Sequence, residues 1–193
     1  MESSITYFDK PGGDENTGNT LTLAGLRAKE LGIKTIVVAS TTGATAVKAV
    51  DALKGYRVIV VTHTTGFREA NTQEFTEENR RAVTKKGGII HTTTHALGGI
   101  QRSLLRPAEG PPAPSQAIGD IVAMTLRTFG QGMKVALEIA AMAADAGLVR
   151  VDEDIISIGG TGRGADTAVV LTPSYVHRFF NTRVREIICK PRL

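Results

Sequence analysis

Two hydrophobic periods alternate along this chain, and each change of period marks the border of an element. TIVVA at 35–39 and RVIVVT at 57–62 are β-branched runs. The second is too continuous for a half-exposed strand and predicts a parallel strand covered on both faces. Between them, residues 44–53 place Ala46, Val47, Ala49, Val50 and Leu53 inward with Lys48 and Asp51 outward, a short helix ended by Gly55. Upstream, ITYF at 5–8 predicts a strand and Asp9 to Gly13 a turn, while Leu21, Leu23, Leu26 and Leu31 mark a helix over 19–31 with Gly32 as its C-cap. Downstream, a polar helix is expected over 72–86 with Phe75 and Val83 inward, then a strand opening with Ile89 and Ile90 and a short helix over 96–105.

Four prolines, Pro107, Pro111, Pro112 and Pro114, make residues 106–115 an excursion loop, because proline lacks a donor and restricts its predecessor. Residues 118–146 are apolar at helical spacing with glycines at 130 and 132, which predicts two helices. Asp120, Arg127, Lys134, Glu138 and Asp145 give this stretch a polar face, so a core helix pair is expected there and not a membrane span. A strand over 155–158, the loop GGTGRGADT over 159–167 and the returning AVVLTP read as an antiparallel hairpin. RVREIICK at 183–190 alternates charge with apolar side chains and is expected to be a half-exposed edge strand. Such an edge either pairs with another chain or is protected by its charges, and the expectation drawn from it is a homo-oligomer.

Composition narrows the class. The 193 residues are 41% hydrophobic and 22% charged, which fits one compact α/β domain over residues 1–193. A formal charge of +4 with 5% aromatics and no Trp argues against a nucleic-acid binder, which would combine clustered basic residues with exposed aromatics. Cys189 is the single cysteine, and the N-terminus shows no basic-plus-apolar signal segment; together these suggest the cytoplasm. No apolar stretch reaches membrane-spanning length, so no membrane association is expected.

Strands joined by helices run parallel, so the loops after 35–39, 57–62, 89–90 and 155–158 should emerge at one edge of the sheet, where ligands of open α/β folds bind. In the first loop Ser40, Thr41, Thr42 and Thr45 offer hydroxyls, Gly43 allows close approach, and Ala44, Thr45 and Ala46 supply N–H groups of a helix start. That chemistry suits phosphate; the alternative is that Ser40 or Thr42 merely caps the helix. The second loop carries His63, Thr64, Thr65, Gly66 and Phe67, and the third His91, Thr92, Thr93, Thr94 and His95. Three histidines could hold a metal, but no Asp, Glu or Cys stands beside them at a recognised ligand spacing, so no metal is assigned. They read better as hydrogen-bonding partners of a phosphate or a ring heteroatom. In the fourth loop Gly160, Thr161 and Gly162 surround Arg163, its one cation, and Asp166 is a candidate acceptor for ribityl or sugar hydroxyls; the alternative is a flexible hairpin tip.

With these loops in view, the sequence resembles the C-terminal α/β domain of pyruvate kinase, and more closely the stand-alone prokaryotic proteins built from that domain. The family's Thr-x-Ser-Gly-basic-Ser/Thr-Ala phosphate loop is matched by Ser40 to Ala46, and its late glycine-rich loop by Gly159 to Thr167 followed by AVVL. The resemblance implies a three-layer α/β/α fold with a mixed, mostly parallel sheet. Ala44 stands where the family often has a basic side chain, and the late loop lacks the family's aromatic residue, which argues against fructose 1,6-bisphosphate. The catalytic barrel is absent from the sequence, so no pyruvate kinase activity is expected.

The leading functional expectation is a phosphorylated small molecule across the strand ends, phosphate on Thr42 to Ala46 and the remainder among residues 63–67, residues 91–95 (Thr93 and His95 foremost) and Arg163. Flavin mononucleotide (FMN) is the specific candidate, since Phe67 could face an isoalloxazine and the hydroxyls a ribityl chain. One alternative is a phosphometabolite-sensing regulatory module without chemistry; another is a hydrolase or lyase with His91 or His95 as general base.

Overall fold

The computed structural model describes residues 4–100, 103 and 117–192. In chain order these form β1 (Thr6–Phe8), α1 (Asp14–Leu31), β2 (Thr35–Ala39), α2 (Ala44–Ala52), β3 (Arg57–Val61), α3 (Glu77–Lys85) and β4 (Ile89–His91). Then follow α4 (Ile118–Arg127), α5 (Gln131–Asp145), β5 (Ile155–Gly159), β6 (Thr167–Thr172), a 3-10 segment (Val176–Asn181) and β7 (Arg183–Pro191).

Seven strands make one sheet in the order β1-β7-β6-β5-β2-β3-β4. Parallel pairing joins β2 to β3 and β5, β3 to β4, and β1 to β7; β6 runs antiparallel to both of its neighbours. Six strands therefore point one way and β6 the other, the mixed, mostly parallel sheet expected. On one face α1, α2 and α3 bury Leu21, Ala49, Leu53 and Val83 against Ile36, Val38, Val60 and Ile158. On the other, α5 lays Met133, Ala136 and Ala140 on Val37, Ile59, Val169 and Leu171, with α4 packed against α5. Burying one such Val, Leu or Ile contributes about 1.5–3 kcal/mol, so strands buried on both faces, such as Thr35–Ala39, fix the register of the sheet centre.

Several boundaries depart from expectation for physical reasons. Helix α1 begins five residues early, straight after Gly13, because its first turns bury Thr17 and Thr20, which hydrophobic spacing does not register. Helix α3 begins late: Thr76 is its N-cap, accepting from Asn79 N at 3.2 Å, and residues 72–75 belong to the preceding loop, although Phe75 and Val83 are buried as expected. Residues 96–100 form turns; the rest of the helix expected over 96–105, apart from Ser103, and the proline-rich loop 106–115 lie outside the described residues. The break between the two later helices falls at Thr128 to Gly130.

The largest correction concerns residues 183–190, which are not an edge strand. β1 pairs with Cys189, Lys190 and Pro191, so β7 is second in the sheet and β1 and β4 are its edges. Alternation misled here because Thr6–Phe8 is too short to reveal in sequence where it docks.

Candidate functional site

Helices on opposite faces diverge between β2 and β5: α2 leaves β2 on one face, and α5 returns to β5 on the other. A crevice outside the carboxyl ends of the strands at such a switch point is where open α/β folds place ligands. The loops after β2, β3, β4 and β5 emerge at that edge, and the β1–α1 loop joins them.

The β2–α2 loop is built around Gly43 at φ 99°. A Cβ there would lie 2.4 Å from Asn79 Cβ and 2.9 Å from Phe75 Cε1, so packing against the start of α3 already demands a glycine. Thr42 O accepts from Thr76 N (3.2 Å) and Asn79 Nδ2 (2.9 Å), tying the same two segments. Ser40 is buried and its Oγ accepts from Ala46 N at 3.2 Å, the helix-capping alternative for this hydroxyl. Ala44 and Thr45 occupy the first turn of α2; its N-cap has no side chain and that turn carries no acidic residue, so the positive end of the helix is not neutralised from within its first turn. Thr45 is buried, while Thr42 and Ala44 are exposed.

The β3–α3 loop folds back over the strand ends. Gly66 N donates to Thr72 O (2.8 Å), and Gln73 Nε2 reaches His63 O (3.1 Å) and Thr65 Oγ1 (3.5 Å), while Thr64 is half-buried. This return places Glu74 against His63: the imidazole Nδ1 donates to Glu74 Oε2 at 2.7 Å, and Arg68 Nε lies 3.1 Å from Glu74 Oε1. With its proton on Nδ1, the ring offers Nε2 as acceptor to the Thr41 hydroxyl at 3.3 Å. Phe67 and His95 complete a ring cluster, with centroids 4.4 Å (His63–Phe67), 5.2 Å (His63–His95) and 5.2 Å (Phe67–His95) apart. Thr93 is half-buried in the loop that delivers His95. His91 closes β4 instead, pairing with Val61, and desolvation lowers its pKa.

The fourth loop is differently occupied. Asp166 is fully buried, and its Oδ2 accepts from Gly12 N (2.8 Å) and Thr161 N (3.1 Å) while Oδ1 accepts from Thr167 Oγ1 (2.8 Å). Through these bonds the carboxylate fixes the loop. Gly12 sits at φ 68° with Thr161 O 2.7 Å from where a Cβ would be, and Arg163 O accepts from Gly13 N at 3.1 Å. The Arg163 side chain and Gly162 are exposed, and Gly160 is half-buried. The described hydrogen bonds of this loop run to the β1–α1 segment, not to the residues around His63.

The structure thus brings Thr41, His63, Phe67 and His95 into one cluster beside the start of α2. Glu74, the member sequence reasoning missed, falls within the helix expected over 72–86; the Thr76-x-x-Asn79 cap just after it is the available signal. Among the described residues no group of three or more His, Cys, Asp or Glu side chains is placed to hold a metal, and no helix is long and apolar enough to cross a membrane. A concavity of about 400 Å³ at the opposite edge is lined by Asp51, Lys54, Tyr56 and Lys86. It faces the C-terminal ends of α2 and α3, where the helix dipoles disfavour an anion.

These features define a three-layer α/β/α domain with its loops gathered at one carboxyl edge. The family profile described as "Pyruvate kinase, alpha/beta domain" matches residues 19–171, and the chain belongs to that family. Among solved structures it is similar to Cryptosporidium parvum pyruvate kinase at 12% identity and a TM-score of 0.39, covering 83% of this chain and 23% of that one. A second structure of that enzyme, in complex with ADP, gives the same identity and TM-score over 93% of this chain and 25% of that one. An O-ureido-L-serine synthase variant bound to O-ureido-L-serine matches at 20% identity and a TM-score of 0.27 over 58% of this chain and 29% of that one. The chain spans about a quarter of the length of the pyruvate kinases it matches.

Proposed function

We propose that this domain binds a phosphorylated small molecule at the carboxyl edge of its sheet, with the phosphate at the start of α2, and does not itself carry pyruvate kinase activity. The observation that carries the reading is the positive end of α2, free of acidic side chains in its first turn and adjoining the Thr41–His63 pair and the Phe67–His95 rings. Backbone N–H groups, the Thr41 and Thr42 hydroxyls and the helix dipole hold the anion, since Ala44 supplies no cation. The Phe67 and His95 rings, in contact with each other, offer a flat wall for a planar heterocycle, and FMN is the specific candidate.

Titration of the purified protein with FMN, followed by visible absorbance and thermal melting, tests this. At a hundredfold excess over Kd the ligand should stabilise the fold by about 2.7 kcal/mol. A protein colourless as purified, whose Tm does not move on adding FMN, removes FMN; stabilisation by sugar phosphates alone would favour a regulatory module. We also propose self-association, because β1 covers only the last three residues of β7 and the preceding outer edge, from Arg183, has no strand partner among the described residues. Sedimentation velocity reads that directly.

A further inference from the structure

Beyond binding, the loops after β2 and β3 hold a second arrangement. Thr41 Oγ1 lies 3.3 Å from His63 Nε2, and His63 Nδ1 lies 2.7 Å from Glu74 Oε2. A hydroxyl, an imidazole and a carboxylate in series form the nucleophile–base–orienting acid array that recurs on unrelated folds and is recognised by geometry, not chain order. Exposure supports chemistry over burial: His63 keeps 30% of its side chain accessible and Glu74 18%, so the base is reachable while its orienting carboxylate is shielded. Arg68 holds the other Glu74 oxygen, steadying the carboxylate in its bond to His63. Thr41 stands in a strand–turn–helix connection, as the nucleophile of a strand-to-helix elbow does, and the positive end of α2 follows it within three residues.

We infer that Thr41, His63 and Glu74 form a hydrolytic centre for small carboxylic esters. Thr41 Oγ attacks the ester carbonyl carbon as its proton passes to His63 Nε2, and Glu74 stabilises the imidazolium. The N–H groups at the start of α2 hold the oxyanion, a tetrahedral anion like the phosphate of the binding reading. Collapse breaks the bond to the alkoxy oxygen, which leaves with the proton from Nε2. Water then attacks the acyl-threonine, giving its proton to Nε2; the carboxylic acid departs, and Thr41 Oγ regains that proton. This moves the general base from His91 and His95, where the sequence placed it, to His63, whose Nδ1 is bonded to the Glu74 carboxylate. His91 ends a strand, and His95 contributes a ring to the cluster wall.

The test is covalent labelling of the intact chain with an alkyl fluorophosphonate, read by mass spectrometry, alongside hydrolysis of p-nitrophenyl acetate. One adduct on Thr41 is expected, absent in Thr41→Val and regained in Thr41→Ser. His63→Gln should slow labelling roughly 100-fold or more, while His177→Gln, distant on the 3-10 segment, leaves it unchanged. Glu74→Gln should slow it while circular dichroism and Tm stay near the parent's, separating orientation from folding. No adduct on Thr41, an adduct elsewhere, or labelling indifferent to His63 overturns the inference. Inorganic phosphate binding, measured separately by calorimetry, keeps the two readings apart: phosphate binding without labelling ends the hydrolytic centre alone, and labelling without phosphate binding ends the phosphate site alone.

Discussion

Two halves of the carboxyl edge look alike in sequence and behave differently in three dimensions. The loops after β2 and β3 present side chains: Thr41, His63 and Phe67 meet across the strand ends, and a carboxylate and an arginine stand behind them. The β5–β6 loop, richer in glycine, is consumed by its own architecture, its buried Asp166 gathering N–H groups from Gly12 and Thr161. Glycine and small hydroxyl residues mark both halves. What separates them is whether the polar groups are spent on the protein's own backbone, as buried groups must be.

The sharpest way to break this contrast is Asp166→Ala, which leaves two backbone donors and a threonine hydroxyl without their acceptor. At about 1–3 kcal/mol for each unsatisfied buried group, a loss of roughly 3–5 kcal/mol in urea unfolding is expected. His63→Gln, by contrast, should stay within about 1 kcal/mol of the parent, near the range of substitutions outside a core. Equal losses in both would erase the distinction.

Next in size is Gly43→Ala, whose added methyl group collides with Asn79 and Phe75 at a positive φ. It should lower stability by about 1–3 kcal/mol. The position therefore tests packing, and ligand binding is better tested one residue on. Ala44→Glu puts a carboxylate at the positive end of α2, which favours the helix by about 0.3–1 kcal/mol yet repels an anion. Calorimetry should show phosphate affinity down about tenfold or more, for one like charge held near the anion at low effective dielectric, with Tm unchanged or slightly raised. Retained affinity would move the phosphate elsewhere.

The smallest effect is in acid. Burial lowers the His91 pKa below its ordinary value, so on acidification the unfolded chain takes up a proton before the folded one. Its contribution is complete above the ordinary histidine pKa and is lost as pH falls towards the folded value. Glu186, held below the usual carboxylate range by the Arg27 side chain, acts with the same sign at lower pH. A chain carrying His91→Gln should show a flatter loss of Tm between neutral and mildly acidic pH than its parent, and an identical slope would place the titration elsewhere.

Much of the fold was legible because buried strands carry their own signature: Thr35–Ala39, Arg57–Val61 and the β5–β6 hairpin are apolar runs whose solvation cost fixes them in a core. Helix α1 was legible in its second half, where leucines recur, and hidden in its first, where the buried Thr17 hydroxyl donates to Gly13 O and accepts from Ala165 N. Of the candidate site, the loops and histidines could be named, but Glu74 could not. Its pairing with His63 depends on an eleven-residue return whose shape is set by Gln73 and Gly66, and no local spacing encodes it.

By itself, then, the sequence determined the central parallel strands and the gathering of loops at one edge, since these follow from hydrophobic periodicity and the connection rules of parallel sheets, while its resemblance to the pyruvate kinase domain implied the three layers. The tertiary structure alone decided that Asp166 and Gly43 serve the scaffold, that β7 lies inside the sheet, and that Glu74 orients His63. Each of those rests on contacts between segments distant in the chain, and such contacts are fixed by how buried polar groups find partners once the core has closed.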